Sequence, residues 1–115
     1  MDKKFIEQAK AIRREYVKNL NGVLKYEDKI NKYKDELTEI EKHLEPNNES
    51  LLQKMMEIEK NINAIESIMN PFTKRVKRLE KDADQLFDNI RERHPELSTQ
   101  DIQNELIPHL KEIKF

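Results

Sequence analysis

The sequence predicts an all-α protein: a long antiparallel coiled-coil hairpin followed by a short C-terminal amphipathic helix. Charged residues make up 39% of the chain, hydrophobic residues only 36%, and there is a single glycine. This composition is typical of long helices that carry a narrow apolar stripe. The apolar residues also recur at heptad spacing, as a coiled coil requires and as a disordered chain would not show.

The first predicted helix covers about residues 3–44. Two series of positions, each with a spacing of seven residues, alternate along it in steps of three and four, which is the a and d pattern of a coiled coil. Eleven of the twelve positions are apolar or aromatic, and Asn19 is the exception. Such a long series in one phase strongly favours a coiled coil. The positions are Phe5, Ala9, Ile12, Tyr16, Asn19, Val23, Tyr26, Ile30, Tyr33, Leu37, Ile40 and Leu44.

A turn around Pro46 separates this helix from a second one, which covers about residues 50–93. Proline lacks a backbone donor and disfavours helix in the residue before it. Asn48 or Ser50 is expected to cap the second helix, Ser50 with Gln53 as a capping box. The second helix has its own seam, so the two helices are expected to fold back antiparallel and bury both seams. Its positions are Leu51, Met55, Ile58, Ile62, Ile65, Met69, Phe72, Val76, Leu79, Ala83, Leu86 and Ile90.

Two dipeptides weaken this hairpin (residues 1–93) without shifting its heptad phase: Asn21-Gly22 and Asn70-Pro71. Glycine costs about 1 kcal/mol relative to alanine inside a helix, and proline removes a hydrogen bond and kinks the helix. In an antiparallel hairpin the two dipeptides lie at nearly the same height, and we expect both helices to bend there. The alternative is a break at that level, which would give a compact bundle of four shorter helices.

Residues 94–115 predict a short amphipathic helix that begins after Pro95. Ser98 has the residue type of an N-cap, and Asp101 stands at the position of its capping-box partner. Pro108 is expected to bend this helix or to end its first half. The apolar stripe of the helix is Ile102, Leu106, Leu110 and Ile113.

The composition argues against an enzyme. The absence of cysteine excludes disulfides, thiolate nucleophiles and zinc–thiolate sites, and one glycine cannot form a phosphate-binding loop. The histidines His43, His94 and His109 lie in three separate segments without the spacing of a metal-binding pair. We therefore expect no catalytic residue, cofactor, metal or small-molecule substrate. No apolar run of the length of a membrane span is present, and we expect a cytoplasmic protein, or else a nuclear one.

Charge is unevenly distributed, although the net charge is only −1. Residues 1–20 carry six basic and three acidic groups, and residues 72–93 carry seven and five, whereas residues 24–69 carry seven and eleven. The open end of the hairpin is thus expected to be basic. This excess is either a solvated flank or a surface for phosphate or acidic protein. The candidate anion-binding residues are Arg13, Arg14, Lys74, Arg75, Lys77, Arg78 and Lys81.

Apolar residues outside the seam predict a contact surface. Val17, Leu20 and Leu24 form a second stripe at three-four spacing, and exposed stripes of this kind usually mark a contact. Its occupant is either the C-terminal helix of the same chain, folded back on the open end, or another chain, including a second copy. The predicted protein-contact residues are Val17, Leu20, Leu24, Phe87, Ile102, Leu106 and Leu110.

Two functional hypotheses follow from these features. The first is a non-enzymatic helical protein–protein interaction module, such as an adaptor, assembly subunit, scaffold or small inhibitor. It would use the off-seam stripe and the C-terminal helix to bind another protein or a second copy of itself. The second is an accessory binder of nucleic acid or ribonucleoprotein through the basic open end. Interleaved acidic residues and the lack of exposed aromatic platforms favour the first.

Overall fold

The computed structural model contains the predicted helical hairpin and short third helix: α1 (Lys3–Lys42), α2 (Glu49–Arg93) and α3 (Thr99–Leu110). These bounds differ from the predicted ends of the hairpin helices by two residues or fewer. The structure describes residues 1–43, 45 and 48–111. Three residues that entered the predictions lie outside these ranges: Leu44, Pro46 and Ile113.

Asn48 caps the start of α2. Its side-chain oxygen accepts a hydrogen bond from the backbone N–H of Leu51 at 3.1 Å. This bond satisfies one of the backbone donors that the first turn of a helix leaves without a partner. Ser50, the alternative cap, lies inside the first turn of α2 instead.

Both hairpin helices pass through their predicted weak points without interruption. Asn21-Gly22 lies inside the 40 residues of α1, and Asn70-Pro71 lies inside the 45 residues of α2. The alternative with four shorter helices is therefore wrong, because one helix spans each weak point. The bend expected at that level stays a prediction.

Burial along α1 and α2 confirms the heptad seam. Every seam position that the structure describes is buried or half-buried, whereas most positions between them are exposed. Asn19 is the polar member, with 4% of its surface exposed, and its side-chain amide donates to the carbonyl of Glu15 at 2.7 Å. This hydrogen bond satisfies the buried amide within α1 itself.

The chain divides into two compact units. We call residues 1–21 with 73–115 the three-helix unit, because it contains the ends of α1 and α2 together with α3. Residues 22–72 form the two-helix unit, which contains the remainder of α1 and α2. Each unit has its own hydrophobic core.

Among the described residues of the two-helix unit, those that are buried all belong to the seam between α1 and α2. The buried core consists of Ile30, Ile58 and Ile62. A small core is expected of a two-helix coiled coil, because only the seam between the helices is enclosed and their other sides contact solvent. The half-buried residues around it are Tyr33, Leu37, Ile40, Ile65 and Met69.

Gly22 is a packing residue of the two-helix unit. A Cβ atom at this position would lie 2.9 Å from Cδ1 of Phe72 and 3.1 Å from both Cγ and Cε1 of the same ring. The ring of Phe72 also stacks on Tyr26, with 6.1 Å between the ring centroids. Glycine therefore lets an aromatic ring of α2 approach the α1 backbone, which gives a reason for its place in the middle of a helix.

In the three-helix unit, α3 closes the core. Ile90 of α2 and Ile102 of α3 have no exposed surface, and Leu106 has 3%. The core that α3 completes thus packs against Ile6 and Phe87, two apolar residues outside the seam. The core is Ala9, Leu86, Ile90, Ile102 and Leu106, surrounded by Met1, Phe5, Ile6, Ile12, Phe87, Leu97 and Leu110.

The predicted capping box fixes the start of α3. The backbone N–H of Ser98 donates to the carboxylate of Asp101, and the N–H of Asp101 donates to the Ser98 hydroxyl, both at 3.1 Å. Hydrogen bonding with Ser98 holds the pKa of Asp101 below its ordinary value. The bond from the Ser98 backbone has the larger effect and the bond with its side chain the smaller. The expectation that Pro108 ends the first half of this helix is wrong, because α3 continues to Leu110. Proline there removes only one hydrogen bond, near the helix end.

Candidate functional site

An apolar groove lies in the three-helix unit, between α3 and the seam of α1 and α2. Its volume is 280 Å³, and we call it the α3 groove. The polar residues in its lining are Arg13, Glu80 and Gln103. The remaining lining residues are Ala9, Ile12 and Tyr16 of α1, Leu79, Ala83, Leu86 and Phe87 of α2, and Leu106, Ile107 and Leu110 of α3.

The groove exists because α3 covers only part of the seam. Ala9 and Leu86, which pack against α3, are buried. The seam residues that come next along α1 and α2 line the groove but are only half-buried, since two helices alone cannot enclose them. These residues are Ile12, Tyr16, Leu79 and Ala83.

Ile107 presents apolar surface on the α3 side of the groove. It is 44% exposed, although it is a large apolar side chain. Ile107 is not among the predicted contact residues, because the predicted apolar stripe follows Leu106 and Leu110. Ile107 is next to Leu106 and three residues before Leu110, and this i, i+3 spacing with Leu110 is the signal that indicates a shared side of the helix.

The predicted contact residues near α3 divide into two groups. Ile102 and Leu106 are buried in the core of the chain itself and provide little surface for another protein. Phe87 and Leu110 are half-buried and line the α3 groove. The structure therefore places the second pair, but not Ile102, at the groove.

The predicted stripe on α1 is not exposed along its length. Val17 is buried, Leu20 is half-buried and Leu24 is exposed. The chain itself buries Val17, so this residue provides little surface for another protein. Leu24 belongs to the two-helix unit, whereas Val17 and Leu20 belong to the three-helix unit.

All seven candidate anion-binding residues belong to the three-helix unit. Arg13 is half-buried and lines the α3 groove, and Arg14 and Arg75 are exposed. Four further cations are exposed and form no ion pair with any carboxylate of the described residues: Lys74, Lys77, Arg78 and Lys81.

Comparison with protein families, curated proteins and solved structures finds no match to this chain. Among the side chains that the structure describes, no three His, Asp or Glu residues are grouped as a metal site requires. None of the described helices has the length and apolar character needed to cross a membrane. We therefore infer a function from the surfaces of the two units.

Contacts at the junction of α2 and α3 hold one wall of the groove in place. Asp2 lies 3.4 Å from Nε of Arg93 and 3.8 Å from Nε2 of His94. The other ring nitrogen of His94 lies 3.3 Å from Glu96, and its ring packs edge-on against Phe5. These contacts bring the chain just before α3 next to the start of α1.

A second depression lies in the two-helix unit and is more polar. Its volume is 470 Å³. The ammonium groups of Lys25 and Lys29 lie 5.8 and 5.7 Å from the ring centroid of Tyr26, so charge covers part of this aromatic surface. The mixed lining makes this depression less suited than the α3 groove to an apolar side chain. The lining residues are Tyr26, Lys29, Lys32, Tyr33, Glu36, Ile65 and Ile68.

Proposed function

We propose that this chain is a non-enzymatic helical protein–protein interaction module that works in the cytoplasm as an adaptor, assembly subunit, scaffold or small inhibitor. The observation that supports this function is the α3 groove, an apolar surface that α3 covers only in part. Helical peptides bind such grooves by inserting apolar side chains at three- and four-residue spacing.

The lining of the groove favours binding over chemistry. Ten of its thirteen residues are apolar or aromatic. Burying one large apolar side chain contributes about 1.5–3 kcal/mol, so a few side chains inserted beside Ile107 would supply substantial affinity. Arg13 and Glu80 provide opposite charges in the lining, where polar contacts fix the orientation of a bound partner.

The exposed apolar side chains of the two-helix unit differ from the α3 groove, because they do not form a shared apolar lining. Leu24, Met56 and Ile68 are exposed there. Of these residues, Ile68 lines the more polar depression. Single exposed apolar side chains are common on soluble proteins, and larger apolar surfaces are the better indicator of a contact. The α3 groove has the smaller volume of the two concave surfaces, but its lining is the more apolar and more continuous.

Affinity capture with two matched variants tests this function. Ile107→Glu places a charge in the groove, and Ile68→Glu makes the same change at an isoleucine of similar exposure, 51% against 44%. We expect proteins captured by the parent chain to be retained by Ile68→Glu and lost by Ile107→Glu. Circular dichroism checks that both variants keep their helices. Capture of the same proteins by Ile107→Glu would contradict the proposal.

A second candidate function is accessory binding of nucleic acid or ribonucleoprotein. Its support is the group of exposed cations on α2 that have no carboxylate partner within the described part of the chain. Replacing Lys77 and Lys81 by Gln is then expected to weaken binding to an RNA or DNA oligonucleotide and to reduce its salt dependence. Absence of binding at low salt would exclude this candidate.

A further inference from the structure

The way α3 binds in the three-helix unit shows what kind of segment this surface accepts. α3 is a 12-residue amphipathic helix whose apolar side chains Ile102 and Leu106 are buried against α1 and α2. Its polar side carries Asp101 and Glu105, both exposed. The chain therefore contains one example of an acidic amphipathic helix bound to this pair of helices.

The charges of the three-helix unit match that example. Residues 1–21 and 73–93 together carry thirteen basic and eight acidic groups, whereas residues 94–111 carry one basic and three acidic groups. Docking of α3 thus neutralises only part of the basic excess of the two long helices. Electrostatic potentials of opposite sign on two surfaces raise the rate at which they associate, and a partner with the same sign of charge is repelled.

The α3 groove continues the surface that α3 occupies. Its walls extend from Ala9 to Tyr16 on α1, a distance of about 10 Å at the helical rise of 1.5 Å per residue. This length corresponds to two turns of a bound helix. Half-buried seam residues form the floor, and Ile107 and Leu110 form the end nearest to α3.

We propose that the α3 groove receives a short amphipathic helix with an acidic outer face, supplied by a different protein. This inference rests on the proposed function and names the class of its partner. The apolar side of the helix fills the space between Tyr16, Leu79 and Ile107, as Ile102 and Leu106 fill the neighbouring core. Its outward carboxylates are attracted through solvent by the basic excess of the two long helices, an interaction that salt screens.

The test uses three labelled synthetic peptides of about 14 residues, which is about four helical turns and therefore longer than the groove. The first has Leu and Ile at three-four spacing with Glu on the outer face. The second replaces each Glu by Lys, and the third has the composition of the first in scrambled order. Each is titrated against the full-length chain by fluorescence anisotropy at low and at physiological salt.

We expect the Glu peptide to bind at least about tenfold more tightly than the Lys or scrambled peptide, with a smaller difference at higher salt because salt screens the charges. Ile107→Glu in the protein should weaken binding of the Glu peptide about tenfold, and Ile68→Glu should leave the affinity for this peptide unchanged. Equal binding of the Glu and scrambled peptides would show attraction by charge alone. That result, tighter binding of the Lys peptide, or no effect of Ile107→Glu would each overturn the inference.

Two further measurements separate this inference from the proposed function. The first is the affinity capture described above. If no peptide binds but the Ile107→Glu variant still fails to capture the cellular proteins that the parent chain captures, the function stands and the acidic-helix partner is wrong. If Ile107→Glu changes neither peptide binding nor capture, both fail. Sedimentation of the chain alone completes the set, because self-association abolished by Ile107→Glu would make a second copy the occupant and also overturn the inference.

Discussion

The two units of this protein use the same seam but bury it to different degrees. In the two-helix unit the core is three isoleucines contributed by α1 and α2. In the three-helix unit, α3 adds Ile102 and Leu106, and two side chains of that core lose all contact with solvent. The helices that form the seam are continuous through both units, so the difference in burial comes from the third helix.

This difference shows how a short helix creates both stability and a binding surface. Two helices bury one face each and leave the seam half open, whereas a third helix encloses the part that it covers. Because α3 is only 12 residues long, the enclosure stops within the unit. The α3 groove lies where the enclosure stops.

The largest expected effect is on the cores themselves. Ile90→Ala should reduce the free energy of unfolding by about 3–5 kcal/mol and Ile58→Ala by about 2–3 kcal/mol, because truncation of a more enclosed side chain leaves a larger cavity. Urea unfolding followed by circular dichroism measures both changes. Ile68→Ala, at an exposed position, is the control and should change stability by less than about 0.5 kcal/mol. An equal or larger loss for Ile58→Ala would contradict the difference between the units.

Gly22 tests the close packing of the two-helix unit. Gly22→Ala should destabilise the protein by about 1–2 kcal/mol, although alanine favours helix by about 1 kcal/mol, because the new methyl group meets the Phe72 ring. Asn21→Ala, next to it and exposed, should instead be neutral or stabilising.

The thermodynamic coupling between Gly22 and Phe72 is measured by a double-mutant cycle. Phe72→Leu should reduce the penalty of Gly22→Ala, since a smaller side chain leaves room for the methyl group. Thermal and urea unfolding give the four stabilities that the cycle needs. A stabilised Gly22→Ala protein would show that the glycine has no packing role.

The cap of α3 is expected to have a smaller effect, confined to the three-helix unit. Ser98→Ala removes the acceptor for the Asp101 N–H and should cost about 1 kcal/mol. Amide hydrogen exchange should show faster exchange in α3 first. Ser67→Ala is the matched control, because Ser67 lies inside α2 and its hydroxyl only bonds back to the carbonyl of Asn63. Equal effects of the two serines would contradict a capping role.

The smallest effect is the acid sensitivity of α3. The folded state holds the pKa of Asp101 below the ordinary 3.8. Stabilisation by this carboxylate is therefore complete above pH 3.8 and is lost as the pH falls through the lower pKa of the folded state. An NMR titration of the Asp101 carboxyl group between about pH 2 and 5 measures the shift. Asp101→Asn should remove this contribution to the acid dependence, and an Asp101 pKa at or above 3.8 would contradict the capping geometry.

Much of the fold follows from local patterns that the sequence displays. The heptad spacing and the cap at Ser98 depend on residues close in the chain, and both are observed. The hairpin register predicted that Gly22 lies near the level of Asn70-Pro71, but not that the neighbouring Phe72 ring packs on the α1 backbone at that point. A glycine in a helix has the same propensity whether or not a ring packs on it.

The candidate site was less predictable than the fold. Phe87 was recognised as an apolar residue outside the heptad seam and Leu110 as part of the apolar stripe of the C-terminal helix, and both line the groove. Ile107 was not predicted, and Val17, a predicted contact residue, is buried within the chain itself. Periodicity shows which side of a helix is apolar, but only the length and placement of α3 determine how much of that side remains uncovered.

Site-specific photo-cross-linking in cells tests the interaction surface most directly. A cross-linking amino acid is placed at position 107 in the α3 groove and, in a separate variant, at exposed position 56 in the two-helix unit. We predict a covalent complex with a distinct protein from position 107 and not from position 56. Cross-links to the same protein from position 56 alone, or equally from both positions, would contradict the assignment of the α3 groove as the binding surface.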